Sequence, residues 1–333
     1  MKRMATALVI AVVVLSGSNR WLIGSQQSQA TSQAQRQGQP PAGAPSQGNF
    51  SSVTKAQYEQ WMKQYSNSGR WGKDDQKGAL NLITPEKRKQ AATLVKSGIT
   101  VSLAHDIERD NGKNPKPAGG WMENKFIAIP EYVMENLQME FHGSRLSHFD
   151  ALCHRMTPGQ IYNGFDMNDV VTAEGGCSKM AVTMAKDGVV TRGVLVDIPG
   201  TTRLRLDDIL AWEKRTGIKV SPGDALLLRT LRPGTPRQGV MGYDPSILPF
   251  LRQRDVALIG SDVAQDGGNI EGIRQPIHAF VLLALGMNIL DNLALDELGD
   301  TAARLKRWDF MLVVAPLRVQ HGSGSPVNPV ALF

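Results

Sequence analysis

The sequence predicts an α/β protein: a single domain in which a mixed β-sheet is flanked by helices. Three observations carry this. Short apolar or β-branched runs bounded by Gly, Pro or Asp recur along the chain. Segments with helical spacing and capping chemistry intervene between them. Finally, Gly 33 and Pro 18 among 333 residues favour a turn-rich protein over a helical bundle. A hydrophobic share of 41% is ample for a sizeable core.

The chain opens with an address. Lys2 and Arg3 precede an unbroken apolar and small-residue run from Met4 to Gly17, and Ser28-Gln29-Ala30 offers a small-residue cleavage site. The run is shorter than the roughly 20 residues that span a bilayer, which favours a cleavable signal peptide, residues 1–30, over an anchor. Residues 31–51 are Gln-, Ser- and Pro-rich and cannot bury enough apolar area to offset ordering, so they read as a disordered tether. The working domain is then 52–333, exported to the periplasm or beyond the cell, with no membrane span after cleavage. The net charge of +6 includes Lys2, Arg3 and Arg20; the remaining 34 basic and 31 acidic side chains leave +3. No basic stripe with interleaved aromatics is present, which excludes a nucleic-acid partner. Two cysteines exclude a disulfide-rich scaffold and a four-thiolate zinc site.

Within the domain, Thr54–Tyr65 carries apolar positions at helical spacing. A second helix starts at Thr84-Pro85-Glu86, where Thr84 can cap and Pro85 suits the first turn, and stops at Gly98. Strands are expected at Ile99–Leu103, Lys125–Ile129, Gly193–Ile198, Ala225–Arg229, Val256–Ile259 and Phe310–Pro316. Helices intervene at Asp207–Thr216, closed by Gly217, and at Pro276–Leu285, closed by Gly286.

Chemistry concentrates in one stretch. Of six histidines, His142, His148 and His154 fall inside thirteen residues, together with Asp150. On a strand, side chains alternate faces, so His148 and Asp150 point the same way. A bend after Asp150 can return His154 to that cavity. Two imidazoles and a carboxylate suit Zn²⁺, Mn²⁺ or Fe²⁺ and leave positions for water and substrate. A lone His-x-Asp pair is more often a surface hydrogen bond, and spacing alone does not decide the matter.

The wider pattern does more. His148-Phe-Asp150-Ala-Leu-Cys-His154, followed by Gly159-Gln-Ile-Tyr162-Asn163-Gly164, resembles the signature of the cyclase family of metal-dependent hydrolases, which includes bacterial kynurenine formamidase and isatin hydrolase. Arg70-Trp71-Gly72 with Gly78–Pro85, Arg192–Asp197, Pro222-Gly223-Asp224, Gly260-Ser261-Asp262, Pro276-Ile-His278 and Gly322–Pro326 resemble it too, in the family's order. The likeness runs from about residue 55 to Phe333 and is closest to the longer branch. It implies the family's swivelling β/β/α fold and a homo-oligomer.

The resemblance also implies roles. His148 and Asp150 match metal ligands, while His154 matches a second ligand or a general base. His278 matches a histidine near the substrate. Asp291 matches a late carboxylate, for which shorter members have glutamate. Shorter members also carry a histidine where this chain has Ser144; His142 lies six residues before His148, about 20 Å along a straight strand. Gly143 permits a bulge that brings it back, so His142 substitutes, or the metal has fewer ligands, or it is absent; the first is favoured. Trp121, Phe149, Tyr162 and Phe165 are the candidate substrate-pocket side chains. Cys153 reads as a buried small hydrophobe that Cys177 can pair with in an oxidising compartment. His105 and His321 read as solvent-facing or locally hydrogen-bonded, and Asp262 as structural.

The expected activity is metal-dependent hydrolysis, with Zn or Mn, of a small amide, formamide, lactam or lactone, arylformamidase-like and aimed at C–N bonds other than peptide bonds. The alternatives are a metal-dependent dehydratase or cyclase, and a non-catalytic exported ligand-binding protein on the same fold.

Overall fold

The computed structural model describes residues 51–107, 121–157, 159–233 and 242–333, with only the backbone of Asn124. The leader and tether expected at 1–30 and 31–51 lie, Ser51 aside, outside the described residues. Thirteen strands follow in chain order: β1 Thr100–Ser102, β2 Trp121–Ile129, β3 Tyr132–Glu140, β4 His148–Asp150, β5 Val171–Thr172, β6 Gly176–Cys177 and β7 Val189–Asp197. Then come β8 Ala225–Arg229, β9 Leu258–Ser261, β10 Asn288–Asp291, β11 Asp309–Val314, β12 Gly324–Pro326 and β13 Val330–Leu332. The α-helices are α1 Lys55–Gln64, α2 Pro85–Ala92, α3 Met167–Val170, α4 Leu206–Thr216, α5 Leu248–Gln253, α6 Pro276–Ala279 and α7 Asp296–Leu305.

Nine strands form one mixed sheet in the order β1-β13-β11-β7-β8-β9-β10-β4-β12. Its centre, β7-β8-β9-β10, is parallel. Parallel neighbours need a crossover, and α4, α5 and α6 supply the three connections. A strand covered on both faces reads as a continuous apolar run, as in Ala225-Leu-Leu-Leu-Arg229, where every residue is buried. Antiparallel strands flank this centre on both sides: β11, β13 and β1 on one, β4 and β12 on the other.

The expected elements are present with shifted ends. Thr54 and Thr84 accept hydrogen bonds from Gln57 and Lys87 amides as N-caps of α1 and α2. Gly217 closes α4 in the left-handed region, at φ 74°. α2 ends at Ala92, short of the expected Gly98, where the Thr93 hydroxyl turns back onto the Gln90 carbonyl at 2.7 Å. The expected helix Pro276–Leu285 is α6 followed by a π-helical turn, Phe280–Ala284. Gly286 then takes φ +57° with its Cα against the Tyr162 ring, so any side chain there would collide with that ring.

The N-terminal part is fastened to this body by specific contacts. The Ala79 amide donates to the Gly286 carbonyl at 2.7 Å, and Asn67 donates to the Leu285 carbonyl at 2.9 Å. Arg70 grips Asp255 with two parallel bonds of 2.6 and 2.8 Å. That grip holds the Asp255 carboxyl below the usual carboxylate range. A depressed carboxylate contributes stability above its unfolded pKa, near 4, and loses it as pH falls through the folded value. Asp255→Asn is therefore expected to be less stable than wild type at neutral pH, by under about 1 kcal/mol for a solvent-screened pair. The gap should close below about pH 4, read by urea denaturation across the pH range.

Candidate functional site

Strand β4 lies between β10 and β12, and its register builds the site. His148 pairs with Asp291 on one side and Pro326 on the other, while Asp150 pairs with Ile289 and Gly324. Directly paired residues share a face, so His148, Asp150 and Asp291 converge on one side of the sheet. Phe149, between them, points to the opposite side and is fully buried in the core.

His142 reaches the same place by a loop. Beyond β3 the chain turns through Gly143–Ser147, where the Asn292 side chain donates to the Gly143 carbonyl at 2.5 Å. The Ser147 hydroxyl donates to the Asn292 carbonyl at 2.6 Å. The turn sets His142 Nδ1 at 3.0 Å from Asp150 Oδ1, with Nε2 at 3.0 Å from the Ser323 hydroxyl. Gly324 makes room for it: a Cβ at that position would sit 2.8 Å from the His142 ring. His154, on a 3-10 turn after β4, stacks its ring on His142 at 4.0 Å and 13°. Its Nε2 is 3.8 Å from Asp150 Oδ2. His278, in the first turn of α6, places Nε2 at 3.1 Å from Asp291 Oδ2 and 3.9 Å from Asp150 Oδ2.

Asp150 is therefore ringed by four imidazoles, and it is fully buried. Neither of its carboxylate oxygens accepts a well-directed hydrogen bond from the described residues. Burial pushes its carboxyl up, but the imidazoles of His154, His142 and His148 together outweigh burial and hold it below the usual range. His148 Nδ1 sits 2.7 Å from the Leu146 carbonyl. A carbonyl only accepts, so Nδ1 carries a hydrogen, and Nε2 faces the site, 3.5 Å from Asp150 and 3.8 Å from Asp291, as the ring nitrogen free to ligate when the ring is neutral. A histidine fixed in this way is what a metal site requires of its ligands. Two sets of donor atoms lie within 4.8 Å of one another: His142, His148 and Asp150, and Asp150, His278 and Asp291. Nitrogen and carboxylate ligand atoms gathered around a fully buried carboxylate fit a divalent cation.

Residues with no sequence signal complete the arrangement. Asp266 accepts from His278 Nδ1 at 2.5 Å and from the Ile277 amide at 2.7 Å. Gln265 donates to Asp291 Oδ1 at 2.6 Å and to the Leu290 carbonyl at 3.0 Å. Asn288 donates to the Asp150 carbonyl at 2.9 Å. The two flanking histidines differ in character. Burial pushes His154 down to about 4, assisted by the other imidazoles against Asp150, so it is neutral at pH 7. Burial also disfavours the charged form of His278, but Asp291 and Asp266 more than reverse this and raise it well above its ordinary value.

Phe149 and Tyr162 are not pocket side chains: both are core residues, and the Tyr162 hydroxyl is spent on Asp75 at 3.1 Å. Phe165 packs against that core with the Lys179 ammonium 4.2 Å above its ring. Trp121 is buried at the start of β2, opposite Glu140. Cys153 is paired with Cys177 in a disulfide, Cα–Cα 6.3 Å, which rules out a free thiol beside His154. Asp262 is structural, accepting from the Thr230 and Leu231 amides and the Thr230 hydroxyl. His321 is exposed and bonded to the Cys177 carbonyl through Nδ1 at 3.0 Å.

The solved structure of a novel cyclase superposes on this protein with a TM-score of 0.72, at 25% identity over 82% of this chain and 99% of that chain. An isatin hydrolase bound to the product analogue thioisatinate gives a TM-score of 0.48 at 19% identity, over 74% of this chain and 95% of that chain. No curated protein matches. The family described as "Putative cyclase" matches residues 88–265. That span is more than half the chain and includes the whole stretch from His142 to His154, and the protein belongs to the cyclase family.

Proposed function

We propose that the protein is an exported metal-dependent hydrolase of small amides, including formamides and cyclic amides, and of related esters. The observation that carries this reading is the Asp150 carboxylate, fully buried inside a ring of imidazoles with neither oxygen in a well-directed hydrogen bond among the described residues. Burying a carboxylate costs several kcal/mol, and a cation at its oxygens adds to the imidazoles in offsetting that cost.

His148, Asp150 and His142 are the residues to hold the cation, with Asp291 on the other side of Asp150. A divalent ion such as Zn²⁺ or Mn²⁺ supplies Lewis acidity toward a water and a substrate carbonyl. The chain does the rest. Gln265 keeps Asp291 turned inward, and Asp266 keeps the His278 ring in one orientation. His154 is neutral and partly open to solvent, so it can take a proton from the attacking water as the carbon–oxygen bond forms. When the carbon–nitrogen or carbon–oxygen bond breaks, the same ring returns that proton to the leaving atom. One water is consumed for each bond cleaved.

The disulfide bears on where this happens. Cys153–Cys177 ties the turn carrying His154 to β6, and the Cys177 amide donates to the His321 carbonyl at 2.9 Å, next to the strand bearing Gly324. Disulfides persist in oxidising compartments, and together with the leader pattern this supports export.

Elemental analysis of the purified protein should find about one or two equivalents of Zn or Mn per chain, in line with the two donor sets. Asp150→Asn keeps the shape and removes the charge; it should lose the metal and lower kcat/KM by about 100-fold or more. Metal-free protein that cannot be reloaded would overturn the hydrolase reading. Replacing both Cys153 and Cys177 by Ala should cost about 3 kcal/mol of stability in urea while leaving metal content intact.

A further inference from the structure

The entry to α6 is held more firmly than a single helical turn needs for its own sake. Gln275, just ahead of it, takes φ 51° and ψ 66°. A long side chain seldom enters the left-handed region, and the residue before a proline favours extended backbone. Such strain persists only where surrounding groups hold it, and it clusters at working sites. Three side chains from distant segments do the holding. Arg155 donates through one terminal nitrogen to Gln275 Oε1 and through the other to the Arg274 carbonyl, both at 2.8 Å. The Tyr58 hydroxyl, on α1, donates to the Pro276 carbonyl at 2.7 Å. Burial and Asp266 push that hydroxyl well above its ordinary pKa, so it stays a donor. Asp266 holds the Ile277 amide and the His278 ring from the third side.

We propose that Arg155 is a positioning residue whose fork onto residues 274 and 275 fixes the span between the His154 and His278 rings. Arg155 follows His154 directly and closes the 3-10 turn that carries it. That turn has three residues and α6 has four, so neither sets its own direction. Yet both rings meet Asp150 at one atom: His154 Nε2 lies 3.8 Å from Oδ2, and His278 Nε2 lies 3.9 Å from it. The arginine closes the circuit behind them, from one ring's turn to the other ring's helix, across 120 residues of chain. Its Nε is buried and has no partner among the described residues. An arginine serving only as a surface contact would turn that N–H to water; here the two terminal bonds fix it in place. A general base and a substrate-side histidine act only at a set separation, and about 1 Å of misplacement can cost about 100-fold in rate. The consequence for turnover rests on the hydrolase reading, whereas the placement of the rings does not.

Histidine-ring nitrogen resonances of the full-length, nitrogen-labelled protein test this without turnover. Arg155→Met keeps the apolar stem and removes the fork; it should displace the His154 and His278 resonances and leave that of His105 in place. Gln275→Gly keeps a left-handed backbone without strain and removes one acceptor, so it should displace His278 in the same way even if the first variant folds poorly. With p-nitrophenyl acetate as substrate, Arg155→Met should lower kcat by about 30-fold, while KM stays within about twofold and metal content is unchanged. Arg155→Lys, which retains one donor, should recover part of both effects. Unmoved rings in both variants would overturn the proposal, and so would a lysine variant no better than the methionine one. A kcat unchanged in Arg155→Met, with wild type active, would overturn the consequence for turnover.

Discussion

Everything at the centre answers to one electrostatic constraint: a carboxylate, Asp150, held out of water with neither oxygen in a well-directed hydrogen bond among the described residues. Left alone, such a group would neutralise itself by taking up a proton. The fold instead surrounds it with His142, His148, His154 and His278, drawn from a loop, a strand, a 3-10 turn and a helix. Each imidazole is restrained from behind: His148 by a carbonyl, His278 by Asp266, His142 by Ser323, and His154 by stacking on His142. The sheet's register, the Asn292 staple and the disulfide all serve to keep these groups aimed at one anion.

Much of this was legible in the sequence, and the rest was hidden for physical reasons. The period of two along a strand is a local property, so His148 and Asp150 could be placed on one face from sequence alone. The same period puts Phe149 on the other face, and its aromatic identity misled because it reports how much area is buried, not on which side. His142 was ambiguous because its return depends on Asn292, whose bond to Gly143 spans 149 residues. Gln265 and Asp266 sit in an irregular stretch with no periodicity to single them out. Strand β2 was anticipated only from Lys125 to Ile129, and β3 not at all, because its glutamates and amides broke the apolar pattern of a domain strand. That pattern is the trace of a ribbon whose environment is not its own domain's interior.

The parallel centre was the easiest part to anticipate, and the reason is instructive. Buried on both faces, Ala225–Arg229 needs no alternation, and its span in the structure is the expected one. The flanking short strands β4, β10 and β12 hold the chemistry, yet at three or four residues each they barely register as strands. Their identity comes from long-range pairing, which local sequence does not encode.

That pairing has a consequence for how the protein is made. β11 separates β7 from β13, β13 separates β11 from β1, and β12 closes the opposite edge beside β4. Gly324, which gives His142 its room, and Ser323, which holds the ring, belong to this same late stretch of chain. A polypeptide still missing residues 309–332 lacks β11, β12 and β13, so β1 has no neighbour in the sheet, β4 has only β10, and His142 has neither its Ser323 partner nor the Gly324 beside it. Completion of the centre accordingly waits for a stretch of chain more than 150 residues beyond the histidine cluster that it supports.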